Sequence, residues 1–184
     1  MEKKEQAILK ITEEMVRRGG YNGFSFREIA KQVGIKSSSV HYHFPTKEDL
    51  GVAVAKYYTE RFFETLGQAQ ALLDNNKDPL QSYISAFRQA LTKDKRMCLC
   101  GLLGAEIDGL PERVVEQTQE FFRLQLAWLE DAYRLMDPDK NTNTIARKKA
   151  SQTLALLEGA IITSNVLDDI TLFDSAAELL LTQA

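Results

Sequence analysis

The chain has 184 residues and a mass of 20.8 kDa, with 44% hydrophobic and 27% charged residues. That is room for one ordinary domain or two small ones around a real core, and it excludes a fibre, a multidomain machine and a disordered chain. The formal net charge is −3 with a pI near 5.5; taken as a total, it speaks against a polyanionic partner, since nucleic-acid binders usually carry excess Lys and Arg.

Helical periodicity runs through nearly the whole sequence and strand signals are almost absent, so an all-α fold of about nine helices is expected. A first helix over about 5–18 places Ala7, Ile8, Ile11 and Met15 on one face and stops at Gly19-Gly20. Short helices are expected over 25–33 and 36–44. Leu50, Val54, Tyr57, Tyr58, Phe62 and Leu66 then mark one long amphipathic helix over about 50–73. Leu80, Tyr83, Ile84, Phe87 and Leu91 mark another, and 98–105 reads as a short buried helix. From Pro111, Val115, Phe122, Leu129 and Met136 recur every seven residues until Asp137-Pro138-Asp139. The last two helices are expected over about 145–165 and 169–183.

Cys98 and Cys100 do not make a disulfide framework, and residues 1–10 (MEKKEQAILK) contain no apolar leader. The longest apolar stretches, 97–105 and 154–167, are too short to span a membrane or are interrupted by Glu158. A soluble, cytoplasmic chain follows as the expectation, with no cofactor and no metal. The pair His41 and His43 does not chelate on a helix, because positions two apart point about 200° from each other.

The charge is unevenly distributed. Residues 1–50 hold nine bases against seven acids, and the remainder fourteen against nineteen, so a +2 end precedes a −5 remainder. The basic end carries the most specific pattern in the chain. Ser25, three residues before Glu28, has the spacing of a capping box. Ile29, Ala30, Val33, Ile35, Val40 and Phe44 are spaced to meet if two helices cross at a tight turn containing Gly34, the geometry of a helix-turn-helix. The second helix then shows Lys36, Ser37, Ser38, Ser39, Tyr42 and His43 outward. Short hydroxyls let a helix backbone approach base edges, while Lys36, His41, Tyr42 and Lys47 suit phosphate.

The run from Phe24 to Leu50, with Phe24-Ser25-Phe26-Arg27-Glu28-Ile29-Ala30, Val33-Gly34-Ile35 and Val40-His41-Tyr42-His43-Phe44-Pro45-Thr46-Lys47-Glu48-Asp49-Leu50, resembles the DNA-binding signature of the tetracycline-repressor (TetR) family of bacterial transcription regulators. It covers about 27 of the 184 residues. Two positions depart from the family: Lys36 stands where a Ser or Thr cap is frequent, which moves the expected cap to Ser37, and His41 replaces a common Tyr.

The resemblance implies a helix-turn-helix domain over 4–64 and a ligand-binding and dimerisation domain over 65–184. It implies a homodimeric repressor, not an enzyme, released from palindromic double-stranded operator DNA by a small-molecule effector. The DNA-facing candidates are Ser25, Arg27, Lys36, Ser37, Ser38, Ser39, His41, Tyr42, His43 and Lys47. Tyr58, Phe62, Phe87, Cys98, Phe122, Gln125 and Trp128 are the pocket candidates. The dimer candidates are Leu154, Leu157, Ile161, Phe173 and Leu180, beside the small residues Ala155, Gly159 and Ala160.

Two alternatives stand beside this reading. One is thiol sensing at Cys98 or Cys100, with Lys95 and Arg96 lowering a thiolate pKa. The other, an α-helical enzyme or adaptor, lacks a nucleophile and base pattern or a reason for the Ser-rich face.

Overall fold

The structure is a computed structural model that describes residues 3–94 and 97–183. Its described residues form helices without a strand: α1 (Lys3–Gly19), α2 (Phe26–Val33), α3 (Ser37–His43), α4 (Lys47–Leu66), α5 (Ala69–Asp74), α6 (Pro79–Asp94), α7 (Leu99–Ala105), α8 (Glu112–Met136), α9 (Asn143–Leu167) and α10 (Thr171–Gln183). No helix among them is long and apolar enough to cross a membrane.

The all-α expectation holds, and one helix is divided. The stretch expected as a single helix over 50–73 breaks after Leu66, where Gly67 takes a left-handed φ of 76°. Glycine reaches that region without a Cβ clash and so ends helices there. The Gly67 N–H bonds the Phe63 carbonyl at 2.9 Å, and its own carbonyl accepts from the Trp128 indole at 2.8 Å. The hydrophobic spacing continued past the break, which is why periodicity alone missed it.

The chain divides into two compact units, Met1–Arg61 with Leu99–Phe121 and Phe62–Cys98 with Phe122–Ala184. The expected division lay at 64/65. The first boundary shifts only slightly, but α7 and the start of α8 belong with the N-terminal helices.

Side-chain ties within the first unit explain that attachment. The Tyr21 backbone N–H donates to Glu106 Oε2 at 2.8 Å, and Arg113 pairs with Asp49 at 2.7 Å. A Cβ on Gly51 would lie 2.7 Å from the Tyr21 ring and 3.0 Å from Val114, so only glycine lets α4 approach that closely. Ile8, Ile29, Val40, Leu50, Leu99 and Val114 are wholly enclosed in the core of this unit.

The second unit packs α6, α8, α9 and α10 around Tyr83, Leu129, Leu157, Ile161 and Phe173, each fully buried. The expected dimer residues lie in this core. Leu154, Leu157, Ile161, Phe173 and Leu180 all point into the core of their own chain. A buried intramolecular helix and an interface helix share one apolar period, and in this chain that stripe faces inward. The large apolar side chains that α9 and α10 expose are Ile145, Ile162, Val166, Leu167, Leu172, Leu179 and Leu181, with Val166 at 73% and Leu167 at 66%.

Candidate functional site

Helices α2 and α3 are fixed from the sequence upward. The Ser25 hydroxyl accepts from the Glu28 N–H at 3.3 Å and donates to the Glu28 carboxylate at 2.7 Å. The reciprocal cap foreseen from the Ser-x-x-Glu spacing therefore starts α2; such caps stabilise a helix by about 1 kcal/mol. Gly34 ends it at φ 75°, with the N–H groups of Gly34 and Ile35 both closing on the Ala30 carbonyl. Ile29 and Ala30 bury against Val40 and Phe44, which sets the angle of α3.

The N-cap of α3 is Lys36, and no side chain caps it. The expected move of the cap to Ser37 does not occur; Ser37 is the first helical residue. A second reciprocal cap lies just beyond: Asp49 N–H bonds Thr46 Oγ1 at 3.0 Å, and Thr46 Oγ1 bonds Asp49 Oδ2 at 2.7 Å. It starts α4 directly after the α3 turn. Arg113 and the Thr46 hydroxyl both hold the Asp49 carboxyl below its ordinary value.

Ser25, Arg27, Lys36, Ser38, His41 and Tyr42 are exposed, while Ser37, Ser39, His43 and Lys47 are half-buried. Tyr42 is 83% exposed, a large apolar ring held out from α3. His41 lays its ring on Phe26 at 4.4 Å between centroids, whereas the His43 ring neighbours those of Tyr42 and Phe44. The two imidazoles thus serve different contacts. Lys47 is less free than the sequence implied: its Nζ stands over the rings of Phe24 at 4.6 Å and Tyr21 at 5.2 Å, and partial burial lowers its pKa.

The pocket candidates separate. Tyr58 lies in the first unit, 5.6 Å from the Phe121 ring. The other six lie in the second, where Phe62, Phe87 and Trp128 place their rings around Tyr83 at 6.2, 4.9 and 5.5 Å, apart from a Phe62–Phe87 contact of 5.9 Å. The Tyr83 hydroxyl donates to Gln125 Oε1. Phe122 is half-buried against the same core.

Sequence reasoning missed Glu158 as a site residue. Its carboxyl is hydrogen-bonded with Cys98, and burial pushes it up to about 7 from an ordinary 4.5, the Cys98 bond pulling the other way. Burial, then Glu158 and Cys98, raise the Tyr83 hydroxyl well above its ordinary value. The signal was present as the one acid interrupting an otherwise apolar stretch of α9.

Cys98 and Cys100 are 3% and 0% exposed and are not joined by a disulfide. Lys95 and Arg96, the expected thiolate stabilisers, lie outside the described residues. Beside Cys98 lies the Glu158 carboxyl, with which it is hydrogen-bonded.

Residues 8–54 match the family model described as bacterial regulatory proteins, tetR family. A solved TetR transcriptional regulator from Legionella pneumophila is 28% identical, with a TM-score of 0.88 over 100% of this chain and 98% of that one. One from Agrobacterium tumefaciens is 29% identical, with a TM-score of 0.86 over 98% and 96%. Over residues 8–54 the chain is similar to the DNA-binding part of the tetR family, and its fold matches that of solved tetR-family regulators. That family is one of transcriptional regulators rather than enzymes.

Among curated proteins, the uncharacterized HTH-type transcriptional regulator YuxN of Bacillus subtilis is 28% identical over 92 residues. The match takes in 50% of this chain and 29% of YuxN, so this chain spans less than a third of that relative. The matched residues 8–54 include all of α2 and α3 and both reciprocal caps.

Proposed function

We propose that this chain is a DNA-binding transcriptional regulator that acts as a homodimer and is released from a palindromic operator by a small-molecule effector. The outward face of α3 carries the reading. A seven-residue helix, held on its inner side by Val40 and Phe44, turns Ser38 and Tyr42 to solvent beside exposed Lys36 and Arg27. Serine hydroxyls read base edges at short range, and the tyrosine and cations reach phosphate. No wide guanine-reading arginine fork lies on α3, so backbone positioning takes a large share of the affinity.

The first unit, with α1 to α3 and most of α4, serves as the DNA-binding part, and the second as the effector-binding and dimerising part. The exposed apolar ridge of Ile162, Val166, Leu167 and Leu179 is the surface for a second copy. Pairing sets two α3 helices on successive major grooves, about 34–36 Å apart. An effector in the second unit acts through α4: the Trp128 indole holds the Gly67 carbonyl just past the end of that helix, and the Thr46–Asp49 cap at its start follows α3 directly. Release requires tighter effector binding to the non-DNA-binding state by a few kcal/mol.

The test is a shift assay at fixed salt on double-stranded operator obtained by selection. Tyr42→Ala is expected to weaken binding about tenfold or more, the loss of one good contact. Unchanged affinity would remove α3 from the interface.

A further inference from the structure

Within the second unit, four polar side chains meet in an otherwise aromatic and aliphatic core. Tyr83 on α6 donates to Gln125 on α8, and Glu158 on α9 is hydrogen-bonded with Cys98. Both Glu158 and Cys98 act electrostatically on Tyr83. Ordinary core packing leaves such a cluster satisfied, because an unmade buried hydrogen bond costs about 1–3 kcal/mol. Here two atoms are left over. Gln125 is wholly buried, yet among the described residues its Nε2 has no hydrogen-bond partner, and the enclosed Glu158 Oε1 has none either. One is a donor and the other an acceptor that can carry charge.

The surrounding rings define what those two atoms suit. Trp128 stacks on Tyr83 with an interplanar angle of 23°, while Phe62 meets both Tyr83 and Phe87 edge-on. Ring faces carry negative potential and draw cations, and a buried carboxylate does the same more strongly. An anion meets repulsion from both.

We propose that this cluster is the binding site for an organic cation with a flat apolar body, whose charged N–H group donates to Glu158 and whose acceptor takes the Gln125 amide N–H. The body lies against the rings of Trp128, Tyr83 and Phe62. This rests on the reading of the second unit as the effector-binding part. The raised carboxyl supports it, since a group that holds its proton near neutrality when unliganded ionises readily once a cation stands beside it.

The test titrates the full chain, without DNA, with 9-aminoacridine as the cation and anthracene-9-carboxylate as an anion of similar shape, following quenching of the only tryptophan, Trp128. Saturable binding of the cation and none of the anion is expected, with Glu158→Gln weakening the cation at least about tenfold, as for loss of one charge-assisted contact. Equal binding of anion and cation, no binding of the cation, or an unchanged affinity in Glu158→Gln overturns the proposal. The wild-type comparison of cation with anion decides the matter even if the variant fails to fold. Because no DNA is present, such a failure leaves the operator reading standing, and a failed operator selection leaves this one standing.

Discussion

Glu158 and Tyr42 are opposite cases of a side chain placed where packing alone does not want it. Tyr42 holds an aromatic ring in water at 83% exposure, so its removal takes little from the core. Tyr42→Ala is therefore expected to change unfolding free energy by no more than about 0.5 kcal/mol while impairing DNA binding. Lys47→Ala behaves differently: it removes a cation seated on Phe24 and Tyr21, and it lowers stability together with affinity. Comparing the two variants by thermal melts and shift assays separates a contact residue from one that also supports the domain.

The Glu158 carboxyl sits at about 7 when folded against an ordinary 4.5. Between those values the folded chain retains a proton that the unfolded chain has released, so stability falls as pH rises through the window. The penalty is complete above it and amounts to about 3 kcal/mol. Glu158→Gln is expected to raise stability by up to about 3 kcal/mol near pH 8, and the two proteins to converge as pH falls towards about 4.5. Urea unfolding across that range measures it; parallel curves would contradict a buried carboxyl. The α2 cap and the Gly34 turn were legible in the sequence because each depends on neighbours within a few residues. The pairing of Glu158 with Cys98, sixty positions away, was not, since no local spacing encodes it.

At the scale of elements, close approaches decide which helices belong together. Gly51 allows α4 to lie against Tyr21 and Val114, and a methyl group there would stand 2.7 Å from the Tyr21 ring. Gly51→Ala is expected to cost about 1–3 kcal/mol by overpacking, measured by chemical unfolding. A cost near zero would mean that α4 and α8 are not held at this distance. Helices α7 and the start of α8 read in the sequence as part of the C-terminal half. Their attachment to the N-terminal unit depends on Glu106 with Tyr21 and Arg113 with Asp49, contacts 85 and 64 residues apart. For α9 and α10 the period of the apolar residues was readable but its direction was not: Leu157 and Ile162 both fit a helix stripe, and only packing reveals that the first faces inward.

For the molecule as a whole, the net charge of −3 joins a basic first fifty residues to an acidic remainder. On the proposed reading, weak overall attraction to DNA makes binding depend on two α3 helices engaged together and makes it fall with salt. In the proposed dimer, two copies joined at the exposed Val166 and Leu167 satisfy that need. The double variant Val166→Glu with Leu167→Glu is expected to run as a monomer in light scattering with unchanged helicity, and to lose operator binding. A wild-type chain that is already monomeric at the concentrations used for DNA binding would contradict the dimer.

The most direct measurement is selection of double-stranded DNA from a random pool by the full chain at near-physiological salt, followed by sequencing. The expected result is an enriched palindrome whose half-sites lie about one helical turn or a multiple of it apart, lost with Tyr42→Ala. Recovery of no common sequence, or the same sequences with Tyr42→Ala, would contradict DNA recognition through α3.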